Sequence, residues 1–140
     1  VDDLNKIGLK TITHSSKKEL QDDTEVYLVD TYGEASNFYS LVNVTFVGGS
    51  IINHGGQNPL EPARSGNYII NGPNIGNFKE IYAFLVKNKI SLTTTNIIKM
   101  KKEILKKFDK KIPNKQKQKI FNVGNKILKK NFFYISKYIT

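Results

Sequence analysis

The chain contains no cysteine. A disulfide scaffold, a zinc ribbon and a thiol nucleophile are therefore excluded, and the composition fits a reducing compartment. No uninterrupted apolar stretch approaches the ~18 residues needed to span a bilayer as a helix. Arginine is almost absent, with Arg64 alone among 22 basic residues. Histidine occurs only at His14 and His54, too few for a metal cluster, so no metal is expected and both read as ordinary loop or strand-end residues. Ser50 has no evident base at a fixed spacing, so a Ser-His-Asp hydrolase is not indicated. The opening Val1-Asp2-Asp3-Leu4 has neither a basic start nor an apolar run and no initiator methionine, so a piece of a longer protein is expected.

What is present is enough for a folded domain. The 140 residues are 39% hydrophobic and 11% aromatic, which supplies a core for a chain of this size. The net charge of +10 is unevenly spread. Residues 1–90 carry eight basic against ten acidic side chains, and residues 91–140 carry fourteen against two. The excess is thus confined to the last third. Such a tail attracts phosphate-rich surfaces, whether nucleic acid or anionic lipid. Lys, Asn and Ile together make up 53 residues of the 140, so compositional bias toward AT-rich codons is the plainer account of the lysines.

The pattern alternates strands and helices. Leu4–Ile7 ends a helix, with Gly8 as its stop. Residues 9–15 read as extended. Val26-Tyr27-Leu28-Val29 reads as a strand buried on both faces, and residues 42–47 and 67–70 as the next strands. Helices are expected from Asp30–Glu34 to about Leu41, from Asn58 to near Gly66, and over 77–87, where Phe78, Ile81, Tyr82 and Leu85 share a face. A short strand at 90–92 precedes helices over 95–108 and 115–138, broken at Pro113. In the first of these, Ile97, Ile98, Met100, Ile104, Leu105 and Phe108 are expected to pack, with the lysines as the wet face. Ile120, Phe121, Val123, Ile127 and Leu128 repeat the pattern. Phe132, Phe133, Tyr134 and Tyr138 end the last helix beside Lys129, Lys130 and Lys137, a mixture suited to a membrane headgroup region or to packing on another domain. The expectation is an α/β fold with a Rossmann-like parallel sheet flanked by helices and a helical C-terminal tail.

Two segments share a design. Thr31 with Glu34, and Asn58-Pro59 with Glu61, each follow a strand, open a helix and fit a capping box. Taken singly, each glutamate returns a hydrogen bond to a cap amide. Their position adds a second reading, because ligands of open parallel sheets bind beyond the carboxyl ends of the strands, where helix N-termini attract phosphate. Gly48-Gly49-Ser50, Gly55-Gly56, Asn58–Glu61 and Gly72-Pro73 all fall at strand ends. Glycines there let a ligand approach the backbone. The physical reading is a nucleotide site, with amides on the phosphate and a carboxylate on the ribose hydroxyls.

The ordered string Asp30-Thr31-x-Gly33-Glu34, Phe46-Val47-Gly48-Gly49-Ser50, Gly55-Gly56-x-Asn58-Pro59-Leu60-Glu61-Pro62, then Gly72-Pro73 with Asn77-Phe78, resembles the 3-deoxy-D-manno-octulosonic acid (Kdo) transferase family over roughly residues 1–90. The resemblance implies the C-terminal, donor-binding half of a GT-B glycosyltransferase, N-terminally truncated. Residues 1–93 would be an incomplete CMP-Kdo-binding domain. Residues 94–140 would be basic helices packing back on it or on the N-terminal half. Tyr32, Gly33 and Glu34 would line the CMP moiety, Gly48, Gly49 and Ser50 would approach the donor, and Asn58, Pro59, Leu60 and Glu61 would hold its phosphate and ribose. The family usually carries Met at the position of Tyr32 and often His at that of Gln57.

The family's catalytic base is a glutamate of the N-terminal half, so no catalytic residue is assigned in this chain. No cofactor and no metal are implied. The reaction implied is an inverting transfer of Kdo from CMP-Kdo to a lipid A precursor in lipopolysaccharide biosynthesis, on the cytoplasmic face of the bacterial inner membrane, with an anionic membrane surface as a further partner. The chain by itself is expected neither to transfer sugar nor to bind CMP-Kdo tightly. An incomplete sheet would also leave an unpaired edge that favours association. Two other functions compete: a nucleic-acid-binding module using the lysine-rich tail, and a GT-B donor domain for a UDP-sugar. Nucleic acid is not expected as the partner, because it leaves the glycine and Asn58–Glu61 pattern unexplained.

Overall fold

A computed structural model describes residues 1–137, with side chains throughout except at 127, 128, 130, 131, 134 and 135. Tyr138 therefore lies outside the described residues, as do the side chains of Ile127, Leu128, Lys130 and Tyr134. The chain divides into two units, Val1–Asn37 and Phe38–Thr140.

The first unit is a parallel pair of short strands. α1 (Asp2–Lys6) stops at Ile7, and Gly8 takes the left-handed φ of +85° expected of a glycine stop. β1 (Thr11–Thr13) then pairs with β2 (Val26–Leu28), with Ile12 opposite Tyr27. A 3-10 turn, His14–Ser16, follows β1 directly. The expected strand over Val26–Val29 forms over Val26–Leu28, but it is not buried on both faces: Val26 and Leu28 are half-buried and Tyr27 is exposed. The reason is local. α1 has five residues and buries none of them, so it supplies no apolar cover.

The second unit holds the core. β3 (Val44–Phe46), β4 (Tyr68–Asn71) and β5 (Ser91–Thr93) form a parallel sheet in that order, with Val44 opposite Tyr68 and Ile70 opposite Leu92. β4 is central and wholly buried, which explains its unbroken Tyr-Ile-Ile run. Four helices accompany the sheet: α3 (Leu60–Ser65), α4 (Lys79–Lys87), α5 (Ile97–Lys107) and α6 (Asn114–Ser136). α2 (Ala35–Leu41) leads into the unit. α4 turns Tyr82 and Leu85 fully inward, with Phe78, Ile81 and Phe84 packed beside them. The basic segment beyond residue 93 packs within this unit, since Ile112 and Ile120 belong to the same core as Ile69 and Ile70. Gly66, left-handed at φ +94°, caps α3, and its carbonyl accepts the Ile112 amide at 3.0 Å, tying the approach to α6 to the end of α3.

α5 departs from expectation. Met100 and Ile104 pack on the core, but Ile97, Ile98, Leu105 and Phe108 are exposed. The apolar positions run around more of the helix than one packed face can cover, so only the Met100–Ile104 side is used. Phe121 is likewise exposed beside the buried Ile120.

Candidate functional site

In the first unit, the predicted residues Tyr32, Gly33 and Glu34 sit in the turn before α2. Gly33 has φ +87°, a conformation that favours glycine. Tyr32 is fully exposed. The helix begins at Ala35, later than the capping-box reading requires. The Thr31 hydroxyl consequently meets not a cap amide but the Glu34 carboxylate, donating to Oε2 at 3.0 Å. His14 Nε2 lies 2.7 Å from the same oxygen, and His14 Nδ1 lies 2.7 Å from the Tyr27 hydroxyl. The Glu34 carboxylate is thus oriented by two neighbours on one oxygen. Asp30 performs a different task. It accepts the Ser15 amide at 2.9 Å and the Ser15 hydroxyl at 2.5 Å, and these bonds hold its carboxyl below the usual carboxylate range. His14 was not expected in this network. Its signal was its position at the end of β1, parallel to the strand that leads to Asp30.

In the second unit, three loops are sewn together beyond the strand ends. The first leaves β3 through Val47 into Gly48-Gly49-Ser50. Ser50 is fully buried. Its hydroxyl donates to the Val47 carbonyl at 2.6 Å and accepts the Gly72 amide at 2.9 Å, and its carbonyl accepts the Asn74 amide at 2.9 Å. The loop after β4 must approach so closely that a Cβ on Gly72 would lie 2.3 Å from the Ser50 carbonyl oxygen. The Asn74 side chain adds a bond to the Ile51 carbonyl at 2.8 Å. The third strand of backbone is Gly55-Gly56. The Gly56 amide donates to the Gly49 carbonyl at 3.1 Å, and the Gly55 carbonyl accepts the Asn77 amide at 3.3 Å. The three loops are therefore joined into one backbone surface, in which Gly48 is open, Gly56 is buried, and the side chains of His54 and Asn77 lie where a Cβ on Gly49 or Gly55 would fall.

That surface runs directly into Asn58–Glu61. The Asn58 side chain accepts the Leu60 amide at 3.0 Å, and Pro59, not Asn58, occupies the residue before α3. The expected cap is shifted by one residue because Pro59 closes the turn instead of opening the helix. Pro59 is fully buried and Leu60 packs against the core, so these two form the floor of the segment. Asn58 and Glu61 are exposed. Glu61 stands in the first turn of α3; after burial, its charge is the second cause that raises the Tyr39 phenol, which puts the carboxylate near that ring. Tyr82 anchors the loop from below, donating to the Gln57 carbonyl at 3.1 Å, with its own phenol pushed up to about 12 by burial. Asn74 and Tyr82 are the clamps that motif reading overlooked; both touch backbone, so no side-chain spacing announces them. Among the described residues, no group of three or more His, Asp or Glu side chains is placed to hold a metal ion.

No protein-family model matches the sequence. Curated relatives and a solved structure do. The chain is 38% identical over 84 residues to 3-deoxy-D-manno-octulosonic acid transferase of Haemophilus influenzae, covering 60% of this chain and 20% of that protein. It is 36% identical over 90 residues to the enzyme of the same name from Aquifex aeolicus, covering 57% of this chain and 26% of that protein. It also matches the crystal structure of the C-terminal CMP-Kdo binding domain of WaaA from Acinetobacter baumannii with a TM-score of 0.69 and 25% identity, over 91% of this chain and 65% of that one. The chain spans about a fifth to a quarter of the length of these curated relatives.

Parallel strands, flanking helices and glycine loops beyond the strand ends give an α/β domain of the same fold class as that solved CMP-Kdo binding domain. Within that class, the chain is a relative of the 3-deoxy-D-manno-octulosonic acid transferases and resembles their C-terminal domain.

Proposed function

We propose that this chain is the donor-binding part of a glycosyltransferase that moves Kdo from CMP-Kdo to a lipid A precursor. The observation that carries the reading is the sewn surface of Gly48-Gly49, Gly55-Gly56 and Asn58–Glu61 in a chain that resembles a CMP-Kdo binding domain over 91% of its length.

The chemistry asked of these residues is binding and orientation. The exposed Gly48 backbone, with no atom within 4 Å of where a Cβ would stand, suits a phosphate, and holding the departing CMP in place stabilises charge that builds on it. Ser50, Pro59 and Leu60 act as framework: their side chains are committed inward and fix where the exposed Asn58 and Glu61 stand. Glu61 accepts a ribose hydroxyl. Tyr32, Gly33 and Glu34 are proposed to contact the CMP moiety, with Glu34 oriented by His14 and Thr31. Deprotonation of the acceptor belongs to a residue of the family's N-terminal half. The basic last third supports work at an anionic membrane surface, on the cytoplasmic face of the inner membrane. Among the described residues no helix is long and apolar enough to cross a membrane.

Glu61→Gln in a protein comprising both halves tests the donor role. A carboxylate on a buried ribose hydroxyl contributes about 1–3 kcal/mol, so CMP-Kdo affinity should fall accordingly. An unchanged affinity contradicts the assignment.

A further inference from the structure

We propose that the outward face of α5 is a contact surface for an anionic lipid bilayer. The inference deepens the membrane part of the functional reading, on which it rests, and does not depend on the donor site.

The apolar residues of α5 form one wide arc. One edge of it carries Met100 and Ile104 to the core. The other edge carries Ile98 and Leu105, seven residues apart and so on one face, with Ile97 and Phe108 between the two edges. Their exposures are 81%, 67%, 78% and 64%. A helix of a soluble protein places polar residues there. Isolated exposed apolar side chains call for no explanation, but four along one eleven-residue helix and its cap do.

The charges are arranged to match. By helical geometry Lys102, Lys106 and Lys99 run along one flank of the Ile98–Leu105 stripe, and Lys101 stands on the other near Ile97 and Phe108. All four lysines are exposed. The one acid in α5 is Glu103. It is half-buried toward the packed side and lies 4.0 Å from Lys106. The exposed surface of α5 therefore carries an apolar Ile98–Leu105 stripe between Lys101 on one side and Lys102, Lys106 and Lys99 on the other. That is the pattern of a helix lying in the plane of a membrane interface, with aliphatic side chains at the acyl boundary and lysines reaching to phosphates.

The pattern fits other occupants less well. Protein interfaces are depleted of lysine. Single-stranded nucleic acid needs aromatic platforms for its bases, and this face offers aliphatic residues with Phe108 alone at its end. The helix is also already built. The Asn96 side chain caps its start by accepting the Lys99 amide at 2.9 Å, and the Asn43 side chain donates to the Phe108 carbonyl at 2.6 Å at its end. No folding entropy remains to be spent on binding.

The test is co-sedimentation of the full chain with vesicles of phosphatidylglycerol and phosphatidylcholine, against vesicles of phosphatidylcholine alone. The wild type is expected to bind only the anionic vesicles, with binding weakened by salt. Each lysine near the surface is worth about five-fold in binding, so Lys102→Gln with Lys106→Gln should lower it about ten-fold or more. Ile98→Ser with Leu105→Ser should lower it comparably. These side chains make no core contact, and circular dichroism of each variant confirms an unchanged fold. Lys129→Gln with Lys137→Gln, in α6 and just beyond it, should have the smaller effect. No binding to anionic vesicles overturns the membrane reading and this proposal together. Binding that survives the α5 substitutions but is lost with the α6 pair overturns the α5 assignment alone. Loss of a dimer in the Ile98/Leu105 variant, with vesicle binding unchanged, reassigns the face to self-association and also overturns it. CMP titration of the same samples reports on the donor site separately.

Discussion

Ser50 and Gly72 meet back to back: the serine hydroxyl accepts the glycine amide at 2.9 Å, and the serine carbonyl lies where a Cβ on residue 72 would fall, at 2.3 Å. This contact joins the loop after β3 to the loop after β4. It is the tightest of the contacts that shape the glycine surface.

Gly72→Ala should therefore destabilise the fold by about 1–3 kcal/mol, as overpacking of a tight interior site does. Ser50→Ala should cost a similar amount, about 1–3 kcal/mol, because it leaves the buried Gly72 amide without its acceptor. Urea denaturation of each variant measures both. Wild-type midpoints would show that the loops are held by other contacts.

The strand and helix pattern of the second unit was readable because burial there is complete. Tyr68-Ile69-Ile70 reads as an interior strand and is one. Tyr82 and Leu85 read as one helix face and point together. The first unit was less readable. Val26–Val29 has the composition of a buried strand, yet burial depends on what covers it, and α1 is too short and polar to do so. The site divided in the same way. That Gly48, Gly49, Gly55 and Gly56 come close together was suggested by several glycine motifs falling at successive strand ends, since a single glycine pair says little. Ser50, Pro59 and Leu60 belong to the same motif but serve as its floor, a distinction set by which way each side chain turns. His14 escaped notice because its partner, Glu34, is twenty residues away and the parallel pairing of β1 with β2 is what connects them.

Stability should fall at alkaline pH. Burial pushes the phenols of Tyr68 and Tyr82 from 10 up to about 12. Both are raised acids, so their contribution is fully present below pH 10, the value in the unfolded chain, and is lost as pH rises toward 12. Urea midpoints should hold steady up to about pH 9 and then decline. Tyr82→Phe should flatten part of that decline while lowering the midpoint at neutral pH through loss of the bond to Gln57. A midpoint that is level through about pH 11 contradicts the burial argument.

Asn96→Ala should cost about 1 kcal/mol, the usual effect of removing an N-cap side chain. The readout is urea denaturation, with the loss of helical signal attributed to α5. Because the cap holds the helix proposed to meet the bilayer, the same variant should also bind anionic vesicles more weakly. A change in neither quantity would show that packing of Met100 and Ile104 alone defines α5.

The central claim is that the glycine loops cradle a cytidylate. Amide chemical shifts of the full chain, followed during titration with CMP and separately with UMP, test it most directly. The account predicts saturable shifts at Gly48, Gly49, Gly55 and Gly56 with CMP, at millimolar concentrations if need be, and weaker ones with UMP. Shifts confined to the lysine-rich helices, or equal responses to the two nucleotides, would contradict it.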